Sequence, residues 1–194
     1  GKEDPSYYGM HIKGLELPLF DLHGMTTCSV GESVSIRGAC HLRNGAHELD
    51  ARAYFDRFSY DKPLERAKAI IGRENKYALM DSYMLCRFLE GVFENNAELS
   101  RLYELSTGLK MKEKSLMEGG ARIINLTKCF NIREGWSRSY DNPPQRFFKE
   151  APTKGPNRGV MLSEEGFQNL LSSYYEARGW EPETGIPKKE TLIS

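Results

Sequence analysis

The chain lacks an excess of charge: 27 Lys and Arg balance 27 Asp and Glu among its 194 residues. Affinity for nucleic acid grows with the number of phosphates neutralised, so this balance argues against a polyanion-binding module. Long apolar runs are absent too, and none approaches the ~20 residues that a membrane-spanning helix needs. No membrane contact is expected, and no secretory signal is evident. Cysteine is sparse, at positions 28, 40, 86 and 129. Such spacing excludes a disulfide framework and suits a reducing, cytoplasmic setting. Cys40-His41 invites a zinc reading, but adjacent ligands have poor geometry for one metal and no C-x-x-C partner exists. Repeats and low-complexity runs are missing. The chain starts at Gly1 and stops at Ser194 within an amphipathic pattern, which reads as a piece cut from a longer protein.

What is present is one domain's worth of chain with enough apolar residues for a core. Residues 1–60 read as a loop-rich lead-in and 61–194 as a helical core, giving a single, mainly α domain. Glycines punctuate the first third, so no helix is expected before position 32, with loops and a short strand or hairpin instead. Glu32 to Leu42 is a candidate short helix, and 46–60 is ambiguous. From Pro63, which suits a first helical turn, a helix over 64–74 is predicted. Tyr77, Met80, Tyr83, Met84 and Phe88 then recur at helical spacing through 75–90. Asn95 to Ser106 follows, with Leu99, Leu102 and Leu105 on one face and Gly108 beyond its end. Lys112 to Ile132 is the longest pattern, with Met117, Ile123 or Ile124, Leu126, Phe130 and Ile132 as its stripe and Gly119-Gly120 interrupting it. After a proline-rich excursion over 135–160, Ser163 caps a final long helix that carries Glu164 and Glu165 in its first turn. Gly179 ends it, and Pro187 opens a last short helix.

Two clusters carry chemistry. Asp81-Ser82-Tyr83-Met84-Leu85-Cys86 sets a carboxylate and a thiol five positions apart in an apolar pattern. A buried carboxylate is costly unless N–H donors meet it, and a thiol adds a soft ligand, so the segment suits a polar organic cofactor beside an iron–sulfur cluster. The plainer alternatives are an exposed helix aspartate and a small core cysteine. Arg37-Gly38-Ala39-Cys40-His41-Leu42-Arg43 holds two guanidinium groups, a thiol and an imidazole. With a reference pKa of about 6.5, His41 can give or take a proton at neutral pH, although an isolated histidine more commonly just bonds a backbone carbonyl. Cys129 beside Phe130 reads as a core residue, and the role of Cys28 stays open. His11, His23 and His47 are expected in loops, exposed or locally bonded. Tyr174-Tyr175 reads as packing.

These two clusters, with Asn131-Ile132-Arg133-Glu134-Gly135-Trp136-Ser137-Arg138, Lys13-Gly14-Leu15-Glu16-Leu17-Pro18 and Tyr174-Tyr175-Glu176-Ala177-Arg178-Gly179-Trp180, resemble the C-terminal part of the tungsten-containing aldehyde:ferredoxin oxidoreductases. The matches fall in the family's order across almost the whole chain. The resemblance implies the third, C-terminal helical domain of a protein roughly three times longer. There a tungsten ion held by two pterins lies near one [4Fe–4S] cluster. It implies that Asp81 and the adjoining Leu85 bind a pterin, that Cys86 is one cluster ligand, and that His41 lies at the metal centre and transfers a proton. A carboxylate accepting two N–H bonds from a pterin edge, and a thiolate on cluster iron, are sound chemistry. Two features depart from the pattern. Met84 stands where the family has glycine. The C-x-x-C-x-x-x-C set and the second pterin segment are absent, so the fragment alone is expected to be inactive and free of tungsten, pterin and cluster.

The activity implied is oxidation of a small aldehyde to a carboxylic acid, with electrons passing to ferredoxin. The partners implied are the preceding domains of the same polypeptide and ferredoxin. A tungsten subunit of a benzoyl-coenzyme A reductase-like complex is the alternative within the family. A non-catalytic helical interaction module is the alternative outside it.

Overall fold

Pro63 opens the helix around which the others pack. In the computed structural model, which describes residues 5–93 and 95–193, helices α1 (Pro5–Tyr8), α2 (Thr26–Val34), α3 (His41–Asn44), α4 (Ala46–Ala51), α5 (Pro63–Ser82), α6 (Asn96–Thr107), α7 (Glu113–Arg133), α8 (Arg146–Lys149), α9 (Glu164–Arg178) and α10 (Lys189–Ile193) follow in order. Strands β1 (His11–Ile12) and β2 (Leu15–Glu16) form a small antiparallel hairpin that pairs His11 with Glu16. The fold is a multi-helix bundle behind an N-terminal third of short elements. Gly1 and Ser194 lie outside the described residues.

Local chemistry accounts for the long helices. Proline at the start of α5 costs no hydrogen bond there. Asn95 and Glu98 form a reciprocal capping box on α6, and Gly108 closes that helix in a left-handed conformation. Ser163 accepts from the N–H of Gly166 to start α9, and Gly179 ends it.

The expectations for 64–74 and 75–90 merge into the one helix α5, which stops at Ser82. Tyr77 and Met80 are buried as expected, whereas Met84 and Phe88, at 92% and 89% exposure, are not core residues. On α7 the expected stripe is wrong in part. Leu126 and Phe130 face outward, 73% and 53% exposed, and the buried face is Leu116, Gly120, Ile124, Asn125 and Lys128. Polar residues sit on that face because each has a buried partner. Asn125 accepts from Trp180 Nε1 at 2.9 Å, and Lys128 donates to Asp141 at 2.7 Å. Gly119-Gly120 does not interrupt α7. Gly120 lets the helix approach α5 so closely that a Cβ there would lie 2.4 Å from the Asn75 carbonyl oxygen. On α6, Leu99 is buried but Leu105 is exposed.

The expectation of no helix before position 32 is also corrected. α2 begins at Thr26 and every one of its residues is buried. A helix enclosed on all sides shows no amphipathic period, and the small polar residues of Thr26-Thr27-Cys28-Ser29 read as loop. The candidate helix over Glu32–Leu42 breaks at Ser35 and gives way to α3. Val30 and Val34 of α2 join Ala46 and Leu49 of α4, Ile70 of α5, Ile124 of α7, and Phe167, Leu170, Tyr174, Tyr175 and Trp180 in the main core. Tyr174 and Tyr175 are packing residues, as expected, and their hydroxyls donate to Glu74 and Asp141.

Lys13, in the turn between β1 and β2, reaches inward to Asp141 at 2.6 Å and to the Ser35 carbonyl at 3.1 Å. The hairpin is thereby tied to the bundle by a buried charge pair. Burial alone would raise the Asp141 carboxyl, but Lys13 and Lys128 outweigh that and hold it below the usual range. Cys129, expected in the core, is half-buried, and Cys28 is fully buried.

Candidate active-site face

The end of α5 forms the first wall of the site. Asp81 lies in its last turn, and the chain then leaves the helix through a Schellman motif. The Leu85 N–H donates to the Met80 carbonyl at 2.9 Å and the Met84 N–H to the Asp81 carbonyl at 3.0 Å. The residue at the turn must be left-handed, and Met84 has φ +57°. The glycine that the resemblance places here is therefore accounted for by backbone conformation alone. Leu85 tucks back against the cluster that holds Met80 and Leu99, the hydrophobic contact that usually accompanies this motif. Cys86 follows in extended conformation, exposed and free.

Two arginines hold Asp81. Arg43, from α3, donates to one carboxylate oxygen. Arg87, one residue past the thiol, donates to the other at 3.1 Å. Arg87 also donates to the backbone carbonyls of Leu42 at 3.1 Å and Tyr77 at 3.0 Å, and its guanidinium lies 3.5 Å over the Tyr77 ring. It therefore joins the Asp81 segment to the His41 segment, although the two are about 40 residues apart in sequence.

Arg87 also lines an open cavity of about 560 Å³, together with His41, Leu42, His47, Tyr77, Phe88 and Glu90. His41 opens α3, and burial lowers its imidazole below the usual histidine range. On the far side of Asp81 a second hollow of about 330 Å³ is walled by Ile36, Arg43, Ala78 and Ile124. Exposed Leu42, Met84, Phe88 and Val92 lie on or beside these segments.

The four residues singled out from sequence thus fall as follows. His41 and Asp81 are joined through Arg43, Leu42 and Arg87, Cys86 adjoins Arg87 at the surface, and Leu85 turns partly inward. Among the described residues no group of three or more His, Cys, Asp or Glu could hold a metal ion. Sequence reasoning missed His47, which lies on α4 in the cavity wall and not in a loop. The recurrence of His41 and His47 six positions apart was the available signal. It also missed Arg87 as the bridge, for which nothing local gave a sign. His11, expected in a loop, lies on β1 and accepts from the Gly14 N–H, and His23 bonds the Asp21 carboxylate locally and also the distant Glu150 carbonyl at 2.9 Å.

A family model described as aldehyde ferredoxin oxidoreductase, domains 2 and 3, matches residues 1–194. The tungsten-containing aldehyde ferredoxin oxidoreductase of Pyrococcus furiosus is 31% identical over 186 residues, covering 93% of this chain and 30% of the relative. That of Thermococcus kodakarensis is 28% identical over 186 residues, covering 94% and 30%. The chain therefore spans about a third of the length of the relatives it matches. Among solved structures, the active-site complex BamBC of benzoyl-coenzyme A reductase with 1,5-dienoyl-CoA superimposes with a TM-score of 0.68 at 18% identity, over 100% of this chain and 33% of that one. That likeness shows the fold.

Proposed function

Because this chain belongs to the aldehyde ferredoxin oxidoreductase family, matching along its whole length the region described as domains 2 and 3, we propose that it is the C-terminal helical part of a cytoplasmic tungstopterin enzyme that oxidises small aldehydes to carboxylic acids. The observation that carries the reading is the linkage of Asp81 to the His41 segment through Arg43 and Arg87, with Cys86 exposed next to Arg87 in the chain.

The residues present fit such a centre. Asp81 is half-exposed, with Arg43 and Arg87 setting the direction of its carboxylate. It can take N–H bonds from a pterin edge at the open side. Cys86 offers an exposed thiol that no other group of this chain engages in a disulfide, the ordinary donor for one iron of a [4Fe–4S] cluster. The other three ligands would come from elsewhere in the polypeptide, as would the second pterin segment. When bound, a tungsten centre would supply two-electron oxidation and a cluster would supply single-electron transfer toward ferredoxin. His41 would hold or give up a proton at the cavity wall, where partial burial favours the neutral imidazole. The exposed apolar residues beside the site would lie against the preceding domains and exclude water.

The test uses the full-length protein purified without oxygen. Cys86→Ala is expected to lower iron and acid-labile sulfide and to abolish aldehyde-dependent reduction of ferredoxin. A complete cluster in that variant would falsify the ligand assignment. His41→Ala is expected to slow turnover by ~10²–10⁴-fold, the range for a general acid–base, with tungsten and iron unchanged. The fold likeness to the benzoyl-coenzyme A reductase complex supports one rival, a tungsten subunit of a similar assembly. Co-purifying iron–sulfur or flavin subunits, with no aldehyde oxidation, would favour it. A full-length protein lacking tungsten under all growth conditions would favour a non-catalytic module.

A further inference from the structure

Beside His41 in the cavity wall stands a second imidazole. His47 reaches it from α4, with ring centroids 5.3 Å apart and planes at 87°. Phe20, from the loop after the hairpin, closes the group. Its ring stacks on His47 at 4.8 Å with an interplanar angle of 23°, and meets His41 edge-on at 5.1 Å. Three rings from three separate segments thus fix one another at one edge of the 560 Å³ cavity.

We propose that His41 and His47 hold one proton between them, resting on His41, whose charge keeps a second proton off His47. The inference rests on the proton-transfer role proposed above for His41 and deepens it. Two imidazolium ions at this distance repel. Between a water-like dielectric and an effective value near 20, the repulsion separates their two titrations by ~0.5–2 pH units. His47 Nδ1 is closed off from solvent and has no hydrogen-bond partner among the described residues. Charging the ring would therefore bury an unshared N–H.

The other charged and titratable groups facing His47 are engaged with one another. Arg73 of α5 pairs with Glu48 of α4 at 3.4 Å and with Glu90 at 3.3 Å, and Arg52 pairs with Glu48 at 3.2 Å. Tyr77 donates to Glu90, Lys76 donates to the Phe93 carbonyl at 2.6 Å, and Arg87 is held by Asp81. Tyr54 completes the wall. Of these side-chain types only histidine ordinarily titrates near neutrality. Burial lowers both imidazoles and the neighbouring His41 lowers His47 further. Glu48 and Glu90 oppose this and Arg73 adds to it.

Two variants of the full-length holoenzyme test the coupling from both sides. His41→Gln removes the charge that His47 meets, and His47→Arg sets a permanent charge beside His41. The rates at which diethyl pyrocarbonate acylates His41 and His47, followed against pH by peptide mass spectrometry, read the two titrations directly. The His47 midpoint is expected to rise by ~0.5–2 pH units in His41→Gln, and the His41 midpoint to fall by a similar step in His47→Arg. The pH profile of kcat/KM for an aldehyde is expected to move with the His41 midpoint in His47→Arg. Unchanged midpoints in both variants overturn the pair. Midpoints that move while the activity profile does not would uphold the pair and overturn the proton-transfer role of His41.

Discussion

Met84 adopts a backbone conformation that glycine would hold at lower cost. For an L residue the left-handed region costs ~1–2 kcal/mol, and Met84 is almost fully exposed, so its side chain returns little by packing. Met84→Gly is expected to raise the stability of this chain by ~0.5–1 kcal/mol, seen as a higher urea midpoint with an unchanged slope. A loss of stability would mean that the Met84 side chain makes contacts the structure does not show. The same turn carries Leu85 and Cys86 away from the helix axis, so the thiol's exposure depends on a conformation that the residue at position 84 only tolerates.

Among the elements, the contact of α5 with α7 shows how two adjacent glycines can differ. A Cβ on Gly120 would lie 2.4 Å from a backbone oxygen of α5, whereas one on Gly119 would meet nothing nearer than 3.9 Å. Gly119→Ala is expected to stabilise by ~0.5–1 kcal/mol through helix propensity. Gly120→Ala is expected to destabilise by ~1–3 kcal/mol, because two helix backbones must separate. Thermal melts of the two variants side by side check this, and equal shifts would count against the close approach. Separation at Gly120 would also disturb the C-terminal half of α5, which carries Tyr77 and Asp81, so the element that holds the bundle together is the one that aims the site.

For the molecule as a whole, buried acids dictate the response to pH. Glu32 of α2 is fully buried, and burial pushes its carboxyl up to about 8, with the Asn44 side chain offsetting only part. Asp50 is pushed up to about 6 by burial, against hydrogen bonds from Cys28 and Thr27 and the charge of Arg66. The folded chain therefore keeps protons that the unfolded chain has released above pH ~4. Their contribution is fully present below that point and is lost as pH rises toward 8. Asp141, held low by Lys13 and Lys128, works the other way and loses its contribution as pH falls through its lowered value. Stability is expected to peak on the acid side of neutrality. Glu32→Gln should leave the acid limb unchanged and add on the order of 1–4 kcal/mol at pH 8 and above. Denaturant midpoints at pH 5 and pH 8.5 decide it, and a parallel shift at both would remove Glu32 as the cause.

Where a helix begins or ends was written locally. Pro63, Asn95, Gly108, Ser163 and Gly179 act on backbone groups within a turn of themselves, so capping chemistry is legible without knowing the neighbours. The Asp81–Cys86 and Arg37–Arg43 segments stood out for a similar reason, since unusual side chains close together are visible in a linear chain. What covers a helix was not legible. α2 reads as loop because enclosure on every side erases periodicity. The stripe of α7 misleads because its buried face is made of Gly120, Asn125 and Lys128, whose partners Asn75, Trp180 and Asp141 lie elsewhere in the chain. The meeting of His41 with His47 and Phe20, and the reach of Arg87 to both Asp81 and Leu42, were likewise decided by tertiary structure. A ring contact or a bridging hydrogen bond exists only after α3, α4 and the end of α5 have docked, and no residue in any one of those segments encodes the distance to the others.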